Sequence, residues 1–223
     1  MEQHNSDHPP LELSSQLVTI MTTEHYNLRM ALSMSTTETN GRSSLFVGAV
    51  SSGLIALAFV GQVSHLGTAF FVFGLVVIAA LCVMGLITFE RVLESSNTQF
   101  MYARGINRIR HLYLEYAPQM QPYFILSSHD DIEGTLADMG VMNSSRWQVF
   151  FSIAGMVAII TSVLAGSFVG LLLAAFSLPL AVTTSAGVVT FLVSVGLHQR
   201  YQWRQWLQLG RGLPALFPSQ PGE

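Results

Sequence analysis

SSLFVGAVSSGLIALAFVGQVSHLGTAFFVFGLVVIAALCVMGLITF, residues 43–89, contains no Asp, Glu, Lys or Arg. One membrane span needs about 20 apolar residues, so this run is too long for one span and suits two. GQVSHLG, residues 61–67, divides it into a first span at 44–60 and a second at 67–89. The stretch between Arg146 and Arg200 is also uncharged. FSLP, residues 176–179, divides that stretch into spans at 148–176 and 179–197, with Pro179 at a first helical position, where its missing N–H costs nothing. The predicted fold class is all-α: a polytopic membrane protein of two transmembrane helical hairpins, four spans in all, with amphipathic cytosolic helices.

Composition agrees. Of 223 residues, 50% are hydrophobic and 10% charged, against roughly 25% charged in soluble domains. A net charge of -3 gives no reason to expect a nucleic-acid partner. The single cysteine, Cys82, lies in an apolar run and is expected to pack there, since one thiol builds neither a disulfide framework nor a thiolate metal cluster. MEQHNSDHPP at the N-terminus has neither the basic nor the apolar part of a cleaved signal peptide.

All ten basic residues are arginines. Arg29 and Arg42 precede the first span. Arg91, Arg104, Arg108, Arg110 and Arg146 lie between the second and third, and Arg200, Arg204 and Arg211 follow the fourth. Neither hairpin turn carries one. Basic residues near span ends stay inside, so both termini and the central segment are expected in the cytoplasm; the absence of lysine fits a GC-rich bacterial genome, and so a bacterial inner membrane.

Residues 1–43 are expected to form a cytosolic amphipathic helix, with Leu13, Leu17, Ile20, Met21, Leu28 and Leu32 at helical spacing. TTETNGRSS, residues 36–44, either breaks that helix or forms its last turns. Residues 90–147 read as a cytosolic helical segment, helical up to Pro118 and broken by APQMQPYF. Residues 198–223 read as a C-terminal helix followed by a disordered tail rich in Gly and Pro, GRGLPALFPSQPGE.

ARGINRIRHLYLEY, residues 103–116, is the most charged stretch. At 100° per residue, Arg104, Arg108, His111 and Glu115 share one face, while Tyr102, Ile106, Ile109, Tyr113 and Tyr116 share the opposite one. A voltage sensor needs its arginines within the bilayer, and this stretch follows the break-prone ESSN segment outside it. One remaining reading is an interfacial helix whose aromatic face packs while its arginines meet water, lipid phosphates or acidic neighbours. The other is an anion or nucleotide site, since guanidinium forks match phosphate oxygens. Arg104, Arg108, Arg110 and His111 are the anion- or lipid-binding candidates under both.

SSHDDIEGTLADMG, residues 127–140, holds His129, Asp130, Asp131 and Glu133. Local physics reads it as a capped helix: Ser128 as N-cap, Asp131 as capping-box partner, acids in the first turn, and Gly140 closing the helix. His129 and Glu133 are weak metal candidates that would need a further ligand such as His111. No metal or other cofactor is otherwise expected.

The spans contain small residues at helical spacing. Ala154, Ala158, Ser162, Gly166, Gly170 and Ala174 form a ridge along the third, and Ser44, Gly48, Ser52 and Ala56 a shorter one on the first. Such ridges let backbones approach closely, within a subunit or between subunits. On the fourth span Thr183, Gly187, Thr190, Ser194 and His198 fall on one face. These residues either pack, with hydroxyls bonded to backbone or neighbouring helices, or line a pore closed near His198 and a Trp203 and Trp206 collar.

EHYNLRMALS, NGRSSLFVGAVSSGLIAL, GLITFERVLES, YARGINRIRHLYLEYAP, PYFILSSHDD and GMVAIITSVLAG together resemble a group of uncharacterised bacterial, mainly actinobacterial, four-span integral membrane proteins. The resemblance covers most of residues 24–170, is most specific in RGINRIRH and SSHDD, and implies the topology and the source while assigning no activity. In plan alone, the chain is similar to membrane effectors of nucleotide-signalled defence, which join few-span hairpins to a cytosolic sensor.

Walker, dinucleotide, HExxH, nucleophile-elbow and kinase signatures are all missing. The spans lack the buried carboxylates or arginines that mark ion-coupled transport. The function expected is thus not enzymatic: a homo-oligomeric membrane protein forming a channel or pore, or a non-conducting scaffold or sensor whose arginine-rich helix binds a cytosolic partner or nucleotide. The expected partners are the bilayer, its anionic lipids and further copies of the chain.

Overall fold

The computed structural model describes residues 15–140, 151–212 and 214–219. Among these residues all regular structure is helical: α1 (Ser15–Val63), α2 (Thr68–Tyr116), a 3-10 turn (Pro118–Tyr123), α3 (Ile132–Asp138), α4 (Ile153–Ala175) and α5 (Leu180–Gly212). α1, α2, α4 and α5 are each long and apolar enough to cross a membrane. Leu13, Arg146 and the expected start of the third span at Gln148 lie outside the described residues.

α1 and α2 have 49 residues each, about 74 Å at 1.5 Å per residue, more than twice the roughly 30 Å of a hydrocarbon core. Each therefore has an apolar half and a polar half. Neither polar stretch breaks its helix, because the hydroxyls bond back to the preceding turn. Thr36, Thr37, Thr39 and Ser43 donate to the carbonyls of Leu32, Ser33, Ser35 and Thr39, and Arg42 pairs with Glu38 one turn earlier at 2.7 Å. In α2, Ser96 and Thr98 donate to Val92 and Glu94 in the same way. TTETNGRSS thus continues α1, and α2 runs unbroken through ESSN to Tyr116, as the reading of a helix up to Pro118 expects.

α1 and α2 lie side by side, antiparallel, along their whole length. Gly61 faces Phe70, Gly53 faces Leu81, and Gly105 faces Leu28. Gln99 donates to Ser35 and Thr39 across the pair at 3.3 and 3.2 Å, and the His25 and Tyr113 rings stack with centroids 6.2 Å apart. The turn between the two helices is tight, with His65 and Leu66 both in the left-handed region at φ 49° and 58°.

α4 packs against α2 and α5. Phe46, Ile78, Phe89, Val92, Val157, Ala158 and Leu164 form the core where α1, α2 and α4 meet. Ser152 caps α4 by accepting the Gly155 amide at 3.0 Å. α4 and α5 touch backbone to backbone: a Cβ on Gly166 would lie 2.6 Å from the Gly187 carbonyl oxygen. Pro179 lies one residue before α5, not at its first helical position, and its carbonyl accepts the Val182 and Thr183 amides at 2.9 and 3.1 Å.

Candidate functional site

The site is built on the polar half of α2. α1 covers one side of this half and the segment 127–138 the other, so the helix carries two covered faces. Ile106 and Ile109 are buried, as the apolar face requires, yet Arg104 and Arg110 are buried too, at 5% and 4% exposure. Of the surroundings expected for these arginines, Arg104 and Arg110 have acidic neighbours and not water. Two carboxylates, Asp130 and Asp138, face the three guanidinium groups and offset part of the cost of leaving water.

Arg110 Nη1 lies within bonding distance of Asn107 Oδ1 (2.8 Å), the Ser127 carbonyl (2.9 Å) and the Asp138 carboxylate. Asp138 also accepts the Ser127 amide at 2.8 Å. Asn107, with no exposed surface, donates to the His129 carbonyl at 2.9 Å. Arg104 donates to the Asp130 carbonyl and Arg108 to the Asp130 carboxylate, both at 2.6 Å. Three guanidinium groups thus hold one extended strip of backbone and two carboxylates against α2.

Asp130 has no exposed surface, and the remainder of its coordination comes from the chain's far end. Its carboxylate accepts the Phe217 amide at 2.8 Å and the Leu216 amide at 3.1 Å, while its own amide donates to the Phe217 carbonyl at 3.2 Å. Asp131 accepts the Ser219 amide at 2.9 Å and the Ser219 hydroxyl. The Phe217 ring stacks on His111, centroids 4.0 Å apart. Residues 214–219, expected to be disordered, are therefore docked. A short Pro-rich segment has no helix or sheet to satisfy its amides, and two fixed carboxylates supply the acceptors.

Burial works to raise the Asp130 carboxyl, but the Phe217 and Leu216 amides and the Arg108 guanidinium outweigh it and hold it below its ordinary range. Asp131 follows the same balance: burial raises it, and the Ser219 hydroxyl and amide with the Gly134 amide bring it below its ordinary value. Asp131 is also the N-cap of α3, accepting the Gly134 amide at 2.8 Å. Ser128 does not cap this helix; Asp131 does, with its φ of -76° and extended backbone. Gly140 follows the last turn at φ 79°, as expected of a closing glycine.

His129 lies beside His111, ring centroids 6.5 Å apart, and among the described residues no group of three His, Cys, Asp or Glu surrounds a metal-sized space. The α5 stripe turns toward the neighbouring helices. Ser194 shares a 2.9 Å hydrogen bond with Ser162, Thr183 donates to the Leu180 carbonyl at 2.9 Å, Gly187 rests on Gly166, and His198 meets Phe89 edge-on at 4.7 Å. The stripe's remaining member, Thr190, borders a groove together with Ser194 and His198. Trp203 and Trp206 stack one turn below, centroids 5.8 Å apart.

The α4 ridge is used within the chain: Ala154, Ala158, Ser162 and Gly166 are buried, and Gly170 stands opposite the Thr183 carbonyl. Gly48 and Ser52 of α1 are outward-facing, with nothing within 4 Å of a Cβ at Gly48, because α1 packs through Phe46, Gly53 and Leu57 instead.

Sequence reasoning missed Asp130, Asp138, Asn107 and the tail as parts of one site. A signal was present: three arginines in 104–110 and three aspartates in 130–138, equal in number and separated by a short loop. Comparison with protein families, characterised proteins and solved structures finds no match, so the site is interpreted from its own geometry.

Proposed function

We infer that the protein is a non-conducting multi-pass membrane scaffold or sensor. Two transmembrane hairpins, α1 with α2 and α4 with α5, hold a cytosolic dock for a short peptide, and the chain's own residues 214–219 occupy it at rest. Both termini and the segment after α2 lie on the cytoplasmic side, in keeping with the arginine distribution. The observation that carries the reading is the buried Asp130 carboxylate, whose acceptor positions are filled by two backbone amides of a remote segment and the Arg108 guanidinium. Recognition of this kind reads main-chain N–H groups, with the Phe217 ring on His111 adding side-chain selection. A pore is less favoured because Ser194 and Gly187 of the polar stripe are engaged by α4.

The test is hydrogen exchange on the full chain in lipid nanodiscs. The Leu216, Phe217 and Ser219 amides should be protected, and an excess of the synthetic segment 213–223 should accelerate their exchange by displacing them. The same peptide N-methylated at the Phe217 nitrogen should not compete. Equal competition by both peptides would sink the dock, and a unitary conductance in planar bilayers would sink the non-conducting reading.

A further inference from the structure

A groove of about 710 Å³ runs between α2, α4 and α5, within the roughly 300–1,000 Å³ typical of small-ligand sites. It is far from the tail dock and has no part in it. Its long walls are apolar: Leu86, Val189, Val193 and Leu197 line it and are exposed on the outer face of the helices. It therefore opens sideways, toward where acyl chains would lie.

One end has different chemistry. Glu90 closes the uncharged run of α2, lines the groove and accepts the Tyr201 hydroxyl at 2.9 Å. The Glu90 carboxylate gives this end of the groove an anionic group, with the Tyr201 hydroxyl bonded to it. The neighbouring cation, Arg91, is engaged by Glu94 at 2.8 Å. The second group is His198, about nine-tenths buried. Its Nδ1 faces the Ser194 carbonyl at 2.8 Å. A carbonyl only accepts, so Nδ1 is the donor in that bond, and in the neutral imidazole Nε2 is an acceptor. Nε2 is buried without a partner, a state that carries a desolvation penalty until a donor reaches it.

We propose that this groove binds a cationic amphiphile, one alkyl chain ending in a protonated amine, with the chain along Leu86 and Val193 and the ammonium at the mouth beside Glu90 and the His198 imidazole. The head supplies three N–H donors and a positive charge, where the protein presents a carboxylate and an imidazole acceptor. A carboxylate-headed chain would face Glu90 with like charge, and a neutral alcohol would satisfy His198 but not the acid.

The experiment uses the full chain in phosphatidylcholine nanodiscs with radiolabelled dodecylamine, dodecanol and dodecanoate, corrected against empty discs. Dodecylamine should bind saturably at one per chain and at least tenfold more tightly than the other two. Glu90→Gln, at an exposed position, should abolish the preference for the amine while retaining weak binding of the alcohol. Ala165→Phe, which fills the groove wall, should abolish saturable binding of all three, with unchanged helical circular dichroism confirming the fold. Equal affinity for amine and carboxylate, an unaltered preference in Glu90→Gln, or saturable binding retained in a folded Ala165→Phe would each overturn the proposal. Absence of amine binding together with a dimeric particle would assign the groove to a second copy of the chain and overturn it as well.

Discussion

The Asp130 carboxylate accepts the backbone amide of Phe217 at 2.8 Å, joining residues 87 positions apart. The same carboxylate takes the Arg108 guanidinium at 2.6 Å, so the tail and α2 share one anchor. Either partner's loss is felt by the other. An unpaired Arg108 is partly reachable by water, with a third of its side chain exposed, whereas Asp130 has no such relief.

The contacts on the two sides of the polar half of α2 should respond to acid at different pH. Asp130 and Asp131 are held below their ordinary range, so their contribution is complete above the ordinary aspartate value of about 3.9. It is lost only as the pH falls further, through their lowered values. His25 is also lowered, first by burial and then by Arg29 and Arg110. For a histidine this favours the neutral form in the fold, so its contribution is present above about 6.5 and fades as the pH drops below that. Exchange protection near the His25 and Tyr113 stack should weaken first, and protection of the Phe217 amide at distinctly lower pH, after correction for intrinsic exchange. Simultaneous loss of both near pH 6 would contradict this order.

The four apolar helices were legible because the uncharged runs are long and the arginines cluster between them. The polar halves of α1 and α2 were harder to read. Ser and Thr weaken an isolated helix, so TTETNGRSS left open whether the first helix breaks there; the long helix beside it, with Gln99 bonded to Ser35 and Thr39, is what local sequence does not reveal. The arginine face was legible as a face but not in its direction. A helical projection separates charged from apolar residues without saying what covers each, and both sides of this helix are covered. Asn107 sits between the two faces and is fully buried, which no amphipathic pattern foretells. Asp131 was read only as a capping partner, a role local in sequence. Its second role, holding Ser219, depends on a segment that composition alone assigns to disorder.

Glycines in the spans should divide by what their missing side chains face. A Cβ at Gly166 would meet the backbone oxygen of Gly187 at 2.6 Å, whereas at Gly170 it would stand 3.5 Å from the Thr183 oxygen. Backbone does not rotate out of the way, so Gly166→Ala should destabilise the α4 and α5 pair by about 1–3 kcal/mol, as overpacking does elsewhere. Gly170→Ala and the outward Gly48→Ala should be neutral or stabilise by about 0.5–1 kcal/mol through reduced backbone freedom. Reversible unfolding in mixed micelles measures all three. A neutral Gly166→Ala would mean that the two helices separate there.

Arg110 and Asp138 are both almost inaccessible, with side chains 4% and 8% exposed, unlike the surface pair Arg42 and Glu38 at 48% and 58%. Removing one member of a buried pair strands the other charge, at about 3–5 kcal/mol, while replacing both by apolar groups of similar size is often close to neutral. Arg110→Met and Asp138→Leu should therefore each be severe, and the double variant should recover much of the loss. Recovery should stop short of complete. Asp138 also accepts the Ser127 amide and Arg110 also serves the Ser127 carbonyl, and two stranded backbone groups cost about 1–3 kcal/mol each. The effect should persist in high salt, because a buried pair is weakly screened. Glu38→Gln, by contrast, should cost no more than about 1 kcal/mol and lose that in salt. Unfolding of the four variants at low and high ionic strength decides the matter. Additive losses in the double variant would show that Arg110 and Asp138 act separately.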